Sequence, residues 1–128
     1  MILALRIGTL AELVTGIVLL SVPSVALDVL IGSSNGDAPL VGRVLGAALL
    51  ALGVAGALTD TRSLDRGIVF SFLAYNASTT TILALASVAG SADGILLWPA
   101  AFLHAVIAVA IALGWRRGGK RRPSTRMQ

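Results

Sequence analysis

Few side chains in this sequence could do chemistry, and most of them stand alone among apolar residues. Glu12 lies in the run L-A-E-L-V-T-G, and His104, the single histidine, lies in F-L-H-A-V. A carboxyl group and an imidazole can bind protons, hold a polar solute or act as an acid and base pair. Tyr75 and Asn76 open the run Y-N-A-S-T-T-T, in which six of seven side chains can form hydrogen bonds. Arg43 is a further charge within an apolar stretch.

Other chemistries are excluded or weakly supported by the residue types. The absence of cysteine excludes disulfides, thiolate catalysis, iron–sulfur clusters and cysteine-ligated zinc. One histidine cannot build a metal or haem site within one chain, so no cofactor is expected. No nucleophile motif or nucleotide-binding loop supports an enzyme.

The elements that must position these residues are long apolar helices. The chain has 128 residues, of which 56% are hydrophobic and 12% charged, and a mean hydropathy of +0.91. Runs of about 20 apolar residues, enough to cross a bilayer, cover 3–22, 40–58, 67–89 and 95–115. We therefore expect an all-α, integral membrane four-transmembrane-helix bundle over 1–115. A helical extension is expected from Pro23 to Gly32, and the basic tail, 116–128, is expected to be disordered.

The basic residues predict the orientation of this bundle. With both termini on one side, nine of the ten Lys and Arg residues lie on that side and Arg43 alone lies on the other. The positive-inside rule then places both termini in the cytoplasm, in a bacterial-type plasma (inner) membrane. The apolar helices make the lipid bilayer the expected partner of the chain. Because the positive charges gather at the chain ends and in one loop, and do not form a basic face, no nucleic acid is expected as a partner.

Small residues indicate how the helices pack. Gly42 and Gly46 form a G-x-x-x-G pair, and Gly53 continues the stripe one heptad later. Such a stripe lets a neighbouring backbone approach closely, either within the chain or between chains. A homo-oligomer or a membrane-protein partner is expected on size grounds, because four short helices enclose little volume.

Depth connects the candidate residues. Counted from the cytoplasmic side at 1.5 Å per residue, Glu12 lies at about 12 Å, Asn76 at about 13 Å and His104 at about 16 Å. A carboxylate at that depth costs at least about 2.5 kcal/mol, so Glu12 should face the interior and be protonated or paired, with His104 or Arg43 as partner. Tyr75 and Asn76 would supply hydrogen bonds to this site. Two alternatives stay open: Arg43 can extend outward to headgroups, and the threonines can bond to carbonyls one turn earlier.

Several segments carry a resemblance. The runs R-I-G-T-L-A-E-L-V-T-G, G-R-V-L-G-A-A-L-L-A-L-G, L-A-Y-N and L-W-P-A-A-F-L-H-A resemble a family of small uncharacterised four-helix bacterial integral membrane proteins, which brings no activity with it. The stretch around Glu12 is also similar to the first helix of small multidrug resistance transporters. That likeness reaches Glu12 alone and implies proton exchange coupled to transport of cationic drugs.

Three functions are compatible with these residues. In the first, Glu12, Asn76 and His104, with Tyr75 and Arg43, bind or move a proton, a small solute or a lipid-like ligand within the membrane. In the second, the chain is a non-catalytic accessory or scaffolding subunit of a larger membrane complex, and the polar residues specify helix packing. The third, an enzyme using His104 and Glu12 as base and acid, ranks last.

Overall fold

The computed structural model describes residues 1–32, 35–60 and 65–119, which form five α-helices. Their bounds are α1, Ile2–Ser21; α2, Pro23–Ile31; α3, Ala38–Leu58; α4, Arg66–Val88; and α5, Leu97–Gly119. The chain is therefore all-helical, and α1, α3, α4 and α5 are each long and apolar enough to cross a membrane. Because α5 continues to Gly119, the first four residues of the predicted tail are helical, whereas 120–128 lie outside the described residues.

Local chemistry explains where the helices begin and end. Pro23 is the first residue of α2, where a missing N–H costs nothing, and it separates the predicted helical extension from α1. Gly32 ends α2 in the left-handed conformation at φ 82°, which favours glycine. Asp65 precedes α4, and its carboxylate accepts hydrogen bonds from the backbone N–H groups of Gly67 and Ile68.

The helices form two pairs, α1 with α3 and α4 with α5, which meet mainly through α1 and α5. The predicted glycine stripe lies in the first pair. A Cβ atom at Gly46 would lie 2.9 Å from the Gly16 carbonyl oxygen, and Gly53 meets Leu13 just as closely. Gly42 faces Leu27 of α2. The stripe therefore packs against α1 and α2 of the same chain.

Buried apolar side chains lie at both ends of the bundle. We call the end that holds Met1, Leu58 and Arg66 the N-terminal end. There, α1, α4 and α5 share a cluster of Ala4, Leu5, Val69, Phe72, Ile107 and Ile111. The opposite end has two smaller clusters, Leu19 with Leu27 and Leu49, and Leu83 with Ala92, Leu97 and Ala101. Polar candidate residues lie between these ends.

Candidate functional site

Glu12 lies near the middle of α1 and is only 1% exposed. It occupies the face of α1 that is buried at Gly8, Glu12, Gly16 and Leu19, a spacing of three or four residues that puts these side chains on one side of the helix. Its Oε1 atom has no hydrogen-bond partner in the described part of the chain. No ion pair involving Glu12 is formed there either, which leaves a buried carboxyl group without a compensating charge.

Tyr75 of α4 is the side chain that faces Glu12. Its hydroxyl interacts with the Glu12 carboxyl group and with Thr79, one turn further along α4. On its other side, the Tyr75 ring meets the His104 ring edge-on, with centroids 5.5 Å apart and an interplanar angle of 81°. Tyr75 thus lies between Glu12 and His104, which had been predicted as a direct partner of the carboxyl group.

Arg43 was the other predicted partner of Glu12, and the structure does not bring it to this site. It is exposed on α3, and in the described chain no ion pair joins it to Glu12. A guanidinium on a long, flexible stem keeps its solvation by extending from the bundle surface, which is the alternative that the sequence left open.

Asn76 and His104 form the closest polar contact between helices. Asn76 is fully buried, and its Nδ2 donates to the Phe72 carbonyl oxygen at 2.7 Å. Because a carbonyl can only accept, this bond fixes the orientation of the amide, and Asn76 Oδ1 faces His104 Nδ1 at 2.8 Å. His104 Nδ1 must therefore carry a hydrogen. In the neutral ring, Nε2 is left as an acceptor. The two residues that depth counting placed near one level are thus brought together.

Two threonines of the Y-N-A-S-T-T-T run form hydrogen bonds to backbone carbonyls of their own helix, α4. Thr80 donates to the Asn76 carbonyl oxygen at 2.8 Å, and Thr81 donates to that of Ala77 at 2.9 Å. The prediction of bonds to carbonyls one turn earlier is confirmed for these two residues. Thr80 also lies 3.5 Å from the Ala101 carbonyl oxygen of α5. The run therefore combines contacts between helices, at Tyr75 and Asn76, with internal bonds of α4.

A small cavity lies between α1, α3 and α4, on the N-terminal side of Glu12. Its volume is about 10 Å³, which is room for about one water molecule. Its lining residues are Ile2, Leu5, Arg6, Thr9, Gly56, Thr59, Ile68 and Phe72. Thr9 was missed in the sequence, although a hydroxyl three residues before a buried glutamate, in T-L-A-E, is a signal that could have found it.

The arrangement is suited to proton chemistry rather than to metal binding. Among the residues that the structure describes, no three His, Asp or Glu side chains gather as metal ligands would. A buried carboxyl group with one free oxygen can accept a proton, and the neighbouring Tyr75 hydroxyl can form a hydrogen bond to either form. The site therefore offers a carboxyl group that can accept a proton, with Nε2 of His104 as a second acceptor, within a largely packed interior.

Comparisons with known proteins identify no relative of this chain. No protein-family model, no curated protein and no solved structure matches this chain.

Proposed function

We propose that this chain is an integral membrane protein of a bacterial-type plasma membrane, with both termini in the cytoplasm. Four apolar helices of membrane-spanning length support the insertion. The concentration of Lys and Arg at the N-terminal end and in the tail supports the orientation. Trp98 near the start of α5 and Trp115 near its end are about 25 Å apart at helical rise, the spacing of the two aromatic belts.

Within that membrane, the function best supported is the binding and release of a proton at Glu12. The observation that carries this proposal is a carboxyl group 1% exposed, with Oε1 unpartnered and no ion pair in the described chain. Glu12 is the eleventh of the 20 residues of α1, so it lies about 15 Å from either end of the helix. A charge held there without a partner is costly, whereas the protonated group is neutral. Glu12 can therefore exchange between a neutral, protonated form and a costly, ionised form.

The room around Glu12 favours a proton over a larger ligand. The cavity on its N-terminal side holds about one water molecule, and a drug-sized ligand needs roughly 300 Å³ or more. Tyr75 occupies the space between the carboxyl group and His104. The similarity of the first helix to small multidrug resistance transporters implies the same role for Glu12, but the cavity that the described residues form on its N-terminal side is too small for a cationic drug.

The test is the thermal stability of the purified protein in detergent between about pH 5 and pH 9, for the wild type and Glu12→Gln. Because the ionised form is the costly one in the bundle interior, the wild type is expected to lose stability as the pH rises, and Glu12→Gln to stay level. Asp28→Asn, at an exposed acid of α2, is the matched control and should follow the wild type. A wild-type profile that Glu12→Gln reproduces contradicts the proposal.

A second candidate, an accessory subunit of a larger membrane complex, is favoured by the close packing of the same site. Asn76 and Glu12 are both almost fully buried, and a buried polar cluster can specify which helices pair. This function predicts that Glu12→Gln is less stable than the wild type at every pH and that pH has no effect. Native mass spectrometry of the purified protein tests for a solute site. A retained small molecule would indicate solute binding, in place of either proton binding or an accessory role.

A further inference from the structure

The cavity at Thr9 lies on the same face of α1 as Glu12. Ile2, Leu5 and Thr9 line it, and Glu12 follows Thr9 by three residues. These spacings place all four side chains along one side of the helix. Thr9 is therefore one turn, about 4.5 Å along the axis, from Glu12. The cavity extends from the N-terminal end of the bundle and stops one turn short of the carboxyl group.

Thr9 makes this cavity polar at its deep end. The residue is only 6% exposed, and its hydroxyl oxygen lies beside Gly56 in the cavity wall. Buried hydroxyls are normally bonded, to protein or to an ordered water. Arg6, which is exposed, and Thr59 supply further polar groups along the cavity wall. A site of this volume with several polar groups is one that water can occupy.

The opposite side of Glu12 is closed by apolar packing. One turn beyond it, Gly16 and Gly46 bring the backbones of α1 and α3 into direct contact. Leu19 and Leu49 then fill the interior, 1% and 3% exposed. The Tyr75 side chain packs against this cluster as well, so side chains fill that part of the α1 face.

We infer that Glu12 exchanges its proton with water from the N-terminal end alone, by way of the Thr9 cavity. This inference rests on the proposed function. A hydronium ion in the cavity gives a proton to the Thr9 hydroxyl, which passes its own proton to the carboxylate one turn away, leaving neutral Glu12, the Thr9 hydroxyl and a water molecule; release is the reverse. The titratable groups beside the path are Arg6 of α1 and Tyr75 of α4, while His104 of α5 lies behind Tyr75. α3 contributes glycine backbone and leucine side chains next to Glu12.

The absence of native cysteine allows a direct test by thiol labelling. Single-cysteine variants Thr9→Cys and Leu19→Cys are reconstituted in lipid vesicles. A protease added outside cleaves the basic tail only where that tail faces outward, so cleavage reports the orientation of each molecule. Silver ion, which binds thiolates and is close to a water molecule in size, is then added outside in chloride-free buffer; as a free cation it does not cross the bilayer. Its reaction is followed as the loss of thiols that remain open to later labelling in detergent. Thr9→Cys is expected to react at least about 10-fold faster than Leu19→Cys, and only when the N-terminal end faces the reagent. Leu19 lies on the same face of α1, on the closed side, and so is the matched control.

Two outcomes would overturn the inference: Thr9→Cys reacting no faster than Leu19→Cys, or reacting from the opposite side. If Thr9→Cys fails to fold, judged by its elution in size-exclusion chromatography, Thr59→Cys in the same cavity takes its place with the same expectation. Labelling does not depend on the protonation of Glu12. If labelling fails but the pH dependence of stability still requires Glu12, the route alone is overturned. If that pH dependence is itself absent, the proposed function is overturned.

Discussion

Replacing Gly46 by alanine should weaken the contact between α1 and α3. An added Cβ would lie 2.9 Å from the Gly16 carbonyl oxygen, 3.0 Å from Leu19 Cβ and 3.1 Å from the Leu20 backbone nitrogen. Ordinary contacts of a Cβ atom begin at 3.4 Å. Because two of these three neighbours are backbone atoms, no side-chain rotation relieves the clash, and the helices must separate by a few tenths of an ångström.

The size of the effect follows from two opposing terms. Overpacking of this kind costs about 1–3 kcal/mol, and exchanging glycine for alanine within a helix returns up to about 1 kcal/mol. We expect a net loss of about 1–2 kcal/mol in the free energy of unfolding. The assay is unfolding by SDS in mixed micelles, followed by the fluorescence of Trp98 and Trp115.

Ala47→Val provides the matched control for this prediction. Ala47 is the next residue of α3 and is exposed, so the added methyl groups meet no other helix and stability should change by less than about 0.5 kcal/mol. If Gly46→Ala were as stable as the wild type, or if both variants lost the same amount, the close contact of α1 with α3 would be refuted.

Two further predictions concern α4. Asp65→Ala should cost about 1 kcal/mol of stability by removing the cap of α4, whereas Asp37→Ala should cost less, because Asp37 forms no side-chain cap bond at α3; equal losses in SDS unfolding would contradict this. Nitrogen NMR of labelled His104 should show hydrogen on Nδ1 in the neutral ring, and Asn76→Leu should abolish that preference and cost about 1–3 kcal/mol. A ring protonated at Nε2 alone would contradict the assigned bond.

The helices were largely predictable because apolar length is a strong signal. The four long helices begin and end within a few residues of the predicted spans, and the extension after Pro23 forms α2 as predicted. The end of α5 was missed by four residues. An apolar run stops at Arg116, but arginine is a good helix former, so the backbone continues as helix to Gly119.

The depth of the site residues along their helices was predictable, but the rotation of each helix about its axis was not. Counting helical rise placed Asn76 and His104 near one level, and the structure joins them by a hydrogen bond. Tyr75, which the sequence offered as a hydrogen-bond partner in this site, lies beside Glu12. Depth does not specify how each helix is rotated about its axis, and this rotation leaves Arg43 exposed. The glycine stripe could serve contacts within or between chains, and only the packed helices show that α1 and α2 occupy it.

The most direct test of the central claim is infrared difference spectroscopy of the wild type and Glu12→Gln, reconstituted in lipid vesicles and titrated with pH. A protonated carboxyl group has a carbonyl stretch that the carboxylate lacks. We expect a band in the wild type that falls as the pH rises, shifts in heavy water and is missing from Glu12→Gln. An identical set of bands in both proteins, or a wild-type band that never changes with pH, would contradict proton binding at Glu12.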